Sequence, residues 1–171
     1  MAGGRKLTVA VVMGSDSDLG AMEPCMATLR ELEIPHEVRI ISAHRTPEAL
    51  GEFAAECERG GVGVVIAAAG GAAHLAGVAA SLTNLPVIGV PMPSGPFGGE
   101  DALLSTVQMP GGIPVATVAV GRGGAVNAAV LAARIIALSD EGLAARLAEH
   151  RSRLAEKVKA ADAAHRSRWP E

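Results

Sequence analysis

Residues 7–18 have the sequence LTVAVVMGSDSD, in which an apolar run, a glycine and a group of helix-capping side chains follow one another. The run Leu7–Met13 has no polar alternation, which is typical of a strand covered on both faces of a sheet. Gly14 supplies a turn, and the serines and aspartates after it supply N-caps. The segment therefore predicts a strand that leads directly into a helix.

Four further apolar runs follow, and stretches of helical character separate them. The predicted strands are Leu7–Met13, Glu37–Ile41, Val62–Ala68, Pro86–Val90 and Ile113–Val120. The predicted helices are about Asp18–Leu32, Pro47–Arg59, Ala73–Leu82, Asp101–Gln108 and Ala125–Leu138. This alternation predicts an α/β fold with a central parallel sheet, helices on both faces and right-handed connections.

One proline lies at the predicted start of a helix and another lies inside a predicted helix. Thr46 is predicted to be the N-cap of the second helix, where Pro47 fits the first helical position. Pro24 falls inside the first helix and removes a backbone hydrogen bond there, so we expect it to kink that helix or delay its start.

The chain changes character after Ser139. Residues Asp140–Ala164 predict a charged helix with an apolar stripe formed by Leu143, Leu147, Leu154 and Val158. The stripe suits packing on the helix's own domain or on a neighbouring subunit, and the sequence leaves both open. We predict one domain over residues 1–171, with a core at about 6–140, a C-terminal helical arm at about 140–165 and a frayed tail at 166–171.

Composition excludes several classes of protein. The chain has 171 residues, of which 49% are hydrophobic and 19% charged, so it is neither disordered nor fibrous. Its net charge of −3 argues against a nucleic-acid partner. Apolar stretches are interrupted before they reach membrane-spanning length. Cys25 and Cys57 show no metal or disulfide spacing, so we expect a reducing compartment and a cytoplasmic protein.

Aromatic residues are scarce, with two Phe, one Trp and no Tyr. This argues against surfaces that stack bases. Small side chains bury little area each, so we expect the domain to gain stability by burying surface between subunits of a homo-oligomer.

The first three predicted strands each end in a polar or glycine-rich segment, at the sheet edge where open parallel sheets bind ligands. In GSDSD (14–18), a turn and a helix N-terminus suit a phosphate or a hydroxyl-rich ligand, although no Walker or GxGxxG pattern is present. Simple helix capping is the alternative. Asp16 and Asp18 could also hold a metal, but no other ligand cluster supports one.

The second and third segments carry imidazoles. In SAHRTP (42–47), Arg45 suits phosphate and His44 suits proton transfer near neutral pH; a surface loop before a capped helix is the alternative. In AAAGGAAHLAG (67–77), small residues expose the main chain to a ligand beside His74; tight packing of a helix on the sheet is the alternative.

The other histidines and one loop lie outside these three segments. The remaining histidines are expected to be solvated: His36, His150 and His165. The Pro- and Gly-rich stretch Pro91–Gly99 is predicted to be a long mobile loop that either covers a site or only connects two elements.

The three segments, followed by LSTVQMPGGIPV (104–115) and a Gly- and Ala-rich last helix, resemble one family in their order and spacing. They are similar to the bacterial N5-carboxyaminoimidazole ribonucleotide mutases of de novo purine biosynthesis, within the AIR carboxylase family. The resemblance covers roughly Lys6 to Asp140.

The resemblance implies a flavodoxin-like three-layer α/β/α sandwich that assembles as a homo-octamer. It also implies an isomerase that converts N5-carboxyaminoimidazole ribonucleotide to 4-carboxy-5-aminoimidazole ribonucleotide, without a metal or an organic cofactor. Decarboxylation at nitrogen and recarboxylation at carbon need a proton donor and then an acceptor, and one imidazole can serve as both.

Roles for individual residues are implied by the matching motifs. His44 would transfer the proton. The phosphoribosyl group would be held by Ser15, Ser17, Asp18, Ser42 and Arg45, with Ser42 and Arg45 on the phosphate and Asp18 on the ribose hydroxyls. The imidazole-and-carboxylate pocket would be lined by Ala69, Gly70, Ala73, His74 and Leu75.

One residue departs from the family pattern. Ala76 stands where the family commonly has proline, which loosens the start of a helix without removing a functional group. Two alternatives remain: a CO2-dependent carboxylase of the same fold and product, and a non-catalytic flavodoxin-like module that binds a phosphate or nucleotide. The sequence AAHL at 72–75 favours the mutase over the carboxylase, and the lack of an aromatic residue near the loops argues against a flavin module.

Overall fold

The five predicted strands form one parallel sheet in the computed structural model, which describes residues 7–166 and 168. The strands are β1 (Thr8–Met13), β2 (His36–Ile40), β3 (Val62–Gly70), β4 (Val87–Met92) and β5 (Ala116–Thr117). Their spatial order is β2-β1-β3-β4-β5, the flavodoxin-like order, in which the direction of winding reverses between β1 and β3. The predicted α/β fold is confirmed.

Six α-helices connect and cover these strands in the described residues, and a short 3-10 turn (Asp16–Asp18) precedes the first. They are α1 (Leu19–Glu31), α2 (Pro47–Gly60), α3 (His74–Leu82), α4 (Glu100–Val107), α5 (Gly121–Ala137) and α6 (Glu141–Arg166). Within the part of the chain that the structure describes, none of these helices combines the length and apolar character needed to span a bilayer.

The core consists of two apolar clusters, one on each face of the sheet. On one face, Val9, Val11 and Met13 of β1 pack with α1 and α5. On the other, Ala10 and Val12 pack with α2 and α3. Alternate residues of β1 thus serve opposite clusters, which explains why its sequence has no polar alternation.

The edge strands differ from prediction. β5 pairs with β4 only at Ile88 and Gly89, so the predicted strand Ile113–Val120 shrinks to two residues. Proline at position 114 cannot donate to a ladder, which limits the strand on that side. β2, by contrast with the covered strand β1, is largely exposed: Val38 and Ile40 reach solvent because β2 lies at the sheet edge.

β4 is longer than predicted. Pro91 and Met92, assigned from the sequence to a loop, belong to this strand and are buried. β5 ends beside Gly89, so β4 has a free edge at Pro91, and a proline is compatible with such an edge. The connecting loop is therefore residues 93–99.

Helix boundaries follow the prediction except at α5. This helix begins at Gly121, four residues before the predicted start. The sequence did not predict these residues as helical because the first turn is rich in glycine, which has a low helix propensity. α2 begins at Pro47 as predicted, but the Thr46 side chain does not cap it. The Thr46 hydroxyl instead accepts from the Ser42 N–H at 3.0 Å and donates to the Ser42 carbonyl at 3.1 Å.

α1 continues through Pro24. Proline has no N–H, so the Gly20 carbonyl one turn earlier loses its usual helical donor. Arg122, at the start of α5, replaces that donor: its Nη1 lies 2.6 Å from the Gly20 oxygen. The helix therefore begins at Leu19, without delay, and contains Pro24, while a side chain from a distant element donates to the carbonyl that the proline leaves without its helical donor.

The two halves of α6 have different surroundings. Leu143 is buried and Leu147 packs against the core, whereas Leu154 and Val158 are 54% and 70% exposed in this chain. The first half of the stripe therefore packs on its own domain. Of the predicted frayed tail, Arg166 is the last residue of α6, and residues 167 and 169–171 lie outside the described residues.

Ionic contacts join α6 to the end of α1. Arg153 Nη2 donates to Glu31 Oε1 at 2.6 Å, and His150 Nδ1 lies 3.2 Å from the same oxygen. The hydrogen bond from Arg153 and the contact with His150 lower the pKa of Glu31. The His150 side chain is only 12% exposed, so the prediction that it is solvated was wrong. His36 is half-buried with Nδ1 3.0 Å from the Ile34 carbonyl, whereas His165 is exposed.

The contact between Arg122 and Gly20 can be measured with a double-mutant cycle. Arg122→Ala should lower the free energy of unfolding by about 1 kcal/mol, since it leaves a helix carbonyl without its donor. In a Pro24→Ala background the loss should be smaller, because residue 24 then supplies its own N–H. Urea unfolding of the four proteins measures both losses, and equal losses in the two backgrounds would contradict the compensation.

Candidate active site

The carboxyl ends of β1, β2 and β3 meet at one edge of the sheet and surround a cleft of about 310 Å³. Every site residue predicted from the sequence lines it: Ser15, Ser17, Asp18, Ser42, His44, Arg45, Ala69, Gly70, Ala73, His74 and Leu75. Gly14, Ala43 and Ser94 complete the lining. A larger cleft of about 660 Å³ lies near the amino ends of β4 and β5, but no His, Arg or Lys side chain lines it.

The first loop combines capping with a cluster of polar groups. The Ser15 Oγ accepts hydrogen bonds from the Ser17 N–H at 3.3 Å and the Ser17 hydroxyl at 2.9 Å, so it does cap the 3-10 turn. Asp18 is only 9% exposed, and this burial raises the pKa of its carboxyl. Asp18 therefore presents a largely desolvated acceptor to the cleft.

The second loop holds a guanidinium against neutral groups. Arg45 donates through Nε to the Ser42 Oγ at 3.3 Å and through Nη2 to the Gly14 carbonyl at 3.1 Å. Among the described residues it forms no ion pair. Because no carboxylate neutralises it, this charge is available to an anion such as a phosphate, and the contact with Gly14 ties the second loop to the first.

The third loop is a tight turn. Gly71 and Ala73 both have positive φ, 61° and 48°, and the Ala73 N–H donates to the Gly70 carbonyl at 3.2 Å. Alanine seldom adopts this conformation. The turn brings the first residue of α3, His74, to the cleft with its helix N-terminus facing the same edge of the sheet. A helix N-terminus leaves amide N–H groups that can bind an anion.

His44 and His74 are in direct contact. The His44 Nε2 lies 2.7 Å from the His74 Nδ1, and the two rings are nearly perpendicular, with centroids 4.9 Å apart. A hydrogen bond between two ring nitrogens holds one proton, which either imidazole can carry. The sequence predicted His44 as the proton-transfer residue and His74 as a pocket residue, but it did not predict their contact, which joins residues 30 positions apart.

Ser94 was not predicted as a site residue, although it belongs to the stretch Pro91–Gly99 that was expected either to cover a site or only to connect two elements. This residue follows β4 by two positions at the same sheet edge, so the strand-end rule that found the other loops would have found it too. Its hydroxyl has no hydrogen-bond partner among the described residues. Ser94 lies against Gly70, where any side chain would overlap the Ser94 hydroxyl, so residue 70 has to be glycine for the loop to pack as it does.

Metal binding was an alternative for Asp16 and Asp18. Over residues 7–166 and 168, no group of three or more His, Cys, Asp or Glu side chains is arranged to hold a metal ion. The chemistry of the cleft is thus that of two imidazoles, one guanidinium, one buried carboxyl and several hydroxyls.

Known proteins resemble this chain over most of its length. Residues 8–157 match the protein family described as AIR carboxylase. A Brucella melitensis protein named N5-carboxyaminoimidazole ribonucleotide mutase is 56% identical over 150 residues, which cover 88% of this chain and 93% of that protein. The protein of that name from Mycobacterium tuberculosis is 52% identical over 160 residues, which cover 94% and 91% of the two chains.

Solved structures agree in fold. The crystal structure of Treponema denticola PurE has a TM-score of 0.83 at 33% identity, covering 91% of this chain and 96% of that one. A variant of PurE2 from the same organism has a TM-score of 0.85 at 32% identity, covering 93% and 98%.

Burial of the Asp18 carboxyl is expected to destabilise the ligand-free protein at neutral pH. A carboxyl whose folded-state pKa is raised stabilises the fold only at acid pH, and that stabilisation is lost as the pH rises through the folded pKa. Asp18→Asn should therefore raise the melting temperature of the ligand-free protein at pH 7, and the gain should shrink as the pH falls towards 4. Thermal unfolding across this range measures it.

The exposed neighbour Asp16 provides the control, because Asp16→Asn removes the same charge from the same loop but leaves the Asp18 carboxyl buried, and repulsion from Asp16 contributes less to the raised pKa of Asp18 than burial does. Its melting temperature at pH 7 should rise less. A lower melting temperature for Asp18→Asn at pH 7 would show that the buried carboxylate stabilises the ligand-free fold, contrary to the sign derived from its environment.

Proposed function

Because this chain belongs to the AIR carboxylase family, we propose that it is an isomerase of purine biosynthesis, an N5-carboxyaminoimidazole ribonucleotide mutase. The 2.7 Å contact between His44 and His74 is the observation that carries the proposal, in a cleft whose guanidinium has no ion pair with any residue that the structure describes. Proton transfer and binding of a phosphorylated substrate are the two capacities that this reaction requires.

We assign the phosphoribosyl group to the first two loops. Arg45, free of any carboxylate among the described residues, binds the phosphate together with the hydroxyls of Ser15, Ser17 and Ser42. Asp18 accepts hydrogen bonds from the ribose hydroxyls, and this pairing offsets the cost of its burial. A planar guanidinium with serine hydroxyls beside it suits phosphate oxygens in both charge and geometry.

The reaction moves a carboxylate in two balanced steps. In the first, the bond between the exocyclic nitrogen and the carboxylate carbon breaks, CO2 leaves, and the nitrogen takes a proton from an imidazolium. In the second, the C4 carbon of the imidazole ring bonds to CO2 and becomes tetrahedral, and a base removes its hydrogen as a proton to restore aromaticity. One proton is donated and one is recovered, so His44 ends the cycle as it began.

The two imidazoles suit this cycle. When the pair carries one positive charge, His44 can give its Nδ1 proton to the substrate while its Nε2 takes the shared proton from His74 Nδ1. The reverse transfers restore both rings when the proton from ring carbon C4 is recovered. We therefore assign the proton transfer to the substrate to His44. His74 replaces the proton that His44 gives up and later takes it back.

The third loop suits the migrating carboxylate. Ala69, Gly70 and Ala73 leave the main chain accessible, and the N-terminus of α3 offers amide N–H groups to a negative charge. Leu75 is buried beside them and gives the pocket an apolar wall. Such a pocket keeps CO2 next to the ring rather than in bulk water, where it would be lost or hydrated.

The first experiment mixes the protein with N5-carboxyaminoimidazole ribonucleotide without ATP or added bicarbonate and with a chelator present. The appearance of 4-carboxy-5-aminoimidazole ribonucleotide by absorbance is the expected result. Product formed only from aminoimidazole ribonucleotide plus bicarbonate would identify a CO2-dependent carboxylase. Binding without turnover of either compound would indicate a phosphate- or nucleotide-binding module.

His44→Asn separates chemistry from binding. It should lower kcat by about 10²–10⁴-fold, the usual contribution of a general acid–base, while calorimetry shows retained binding of the substrate through the first two loops. His36→Asn is the matched control, since His36 lies at the start of β2, at the opposite edge of the sheet. Equal losses of turnover and binding in His44→Asn would reject this division of roles.

We also propose that the single domain of residues 1–171 assembles into a homo-octamer and works in the cytoplasm. Leu154 lines a groove of about 540 Å³ between α5 and α6, and Val158 lies one turn further along α6. Both side chains are exposed in this chain, and packing on a neighbouring subunit would bury them. The free, buried thiols of Cys25 and Cys57 are compatible with a reducing compartment.

Light scattering tests the assembly. Eight chains of 17.2 kDa give about 138 kDa for the wild type, and a mass of 17.2 kDa would overturn the proposal. Leu154→Ser combined with Val158→Ser should shift the protein to smaller species. Leu138→Ser is the control, because this leucine is 89% exposed and lies outside the stripe on α6.

A further inference from the structure

The fourth sequence motif, LSTVQMPGGIPV (104–115), does not line the cleft, yet it contacts the loop that forms one wall of it. The Ser105 hydroxyl, on α4, donates a hydrogen bond to the Ala72 carbonyl. Ala72 lies in the turn between β3 and α3, two residues before His74. A residue outside the cleft is thus linked through one peptide segment to one of the two contacting imidazoles.

The turn needs support from outside. Gly71 and Ala73 flank Ala72 and both have positive φ, which glycine adopts freely and alanine does not. Within the turn, the Ala73 N–H donates to the Gly70 carbonyl at 3.2 Å, near the long end for such bonds. The Ala72 carbonyl belongs to the peptide unit between Ala72 and Ala73, and a change of φ at Ala73 would rotate this peptide. The hydrogen bond from Ser105 to that carbonyl therefore opposes such a change.

The same segment contacts α3 one turn further on. The Met109 sulfur lies next to Gly77, close enough that a Cβ at position 77 would be 3.1 Å from it. Thr106, beside Ser105, donates to the Ala102 carbonyl at 2.7 Å and accepts through its own carbonyl from the Thr117 hydroxyl at 3.3 Å. The end of α4 is therefore tied to its own helix and to β5, and it packs against the start of α3.

We propose that Ser105 is a positioning residue that holds the turn at residues 71–73, so that His74 keeps its 2.7 Å contact with His44. This inference rests on the proposed function, in which the two imidazoles move the proton. Ser105 does not line the cleft, so it acts through Ala72 and His74 and not on the substrate. The phosphoribosyl group, assigned to the first two loops, is unaffected by this link.

Removing the hydroxyl should separate kcat from KM. In Ser105→Ala, the Ala72 carbonyl loses its donor, Ala73 relaxes towards a commoner conformation, and His74 moves away from His44. We expect kcat to fall about tenfold, because the lost free energy is about that of one hydrogen bond. KM should be nearly unchanged. Ser105→Thr, which keeps a hydroxyl at the same place, should retain most of the activity.

A second substitution tests the route of the effect. Ala73→Gly, added to Ser105→Ala, should restore much of kcat, because glycine holds a φ near +48° without help from Ser105. The matched control is Ser81→Ala, which removes a serine hydroxyl that donates to the Val78 carbonyl at the far end of α3. Circular dichroism establishes that each variant is folded at the assay temperature.

Nitrogen-15 NMR of the two histidine side chains supplies a readout independent of turnover. Ser105→Ala should shift the signals of His44 Nε2 and His74 Nδ1, and Ser81→Ala should not. Unchanged kcat and unchanged ring signals in Ser105→Ala would overturn the proposal, and so would a fall in kcat that Ala73→Gly fails to restore. Wild-type protein without mutase activity would overturn the proposed function instead, and the NMR comparison would still decide whether Ser105 positions His74.

Discussion

The parallel pairing of β1 with β2 on one side and β3 on the other is the constraint on which the rest of the structure depends. Because all three strands run the same way, the residues that follow them emerge at a single edge of the sheet. Segments near positions 14, 42 and 70 are distant along the chain and adjacent in space. A strand of opposite direction at any of these three positions would send one loop to the far edge and divide the cleft.

Small side chains are the second condition for the site. The loop after β3 is almost entirely alanine and glycine, which allows the main chain to approach a ligand and allows Ser94 to lie against Gly70. The same preference appears in the core, where α5 packs through fully buried alanines, including Ala128, Ala129 and Ala132. Small side chains let helices and sheet approach each other closely, but each of them buries little apolar area. The second half of the α6 stripe, Leu154 and Val158, is also exposed in a single chain.

Hydrogen bonds from polar side chains connect the loops that form this site. Arg45 connects the second loop to the first through the Gly14 carbonyl, the Thr46 hydroxyl closes the second loop on Ser42, and Ser105 reaches the third loop from α4. The contacts from Arg45 and Ser105 supply donors to the Gly14 and Ala72 carbonyls, and the Thr46 hydroxyl adds a second donor to the Ser42 carbonyl, which also accepts from the Thr46 N–H. The chain thus uses the same hydrogen bonds to complete its loops and to arrange the groups that face the cleft.

The sequence alone determined the alternation of strands and helices and the three loops of the cleft, because these features depend on local periodicity and turn residues. The individual residues that line the cleft were implied by the resemblance of the motifs to one family. Local patterns do not report which elements meet across the sheet. Only the tertiary structure decided that β2 is exposed and β5 short, since both lie at sheet edges, and that Arg122 replaces the donor lost at Pro24. It alone brought His44 to 2.7 Å from His74, and His150 to the end of α1, because such contacts join residues that no sequence period connects.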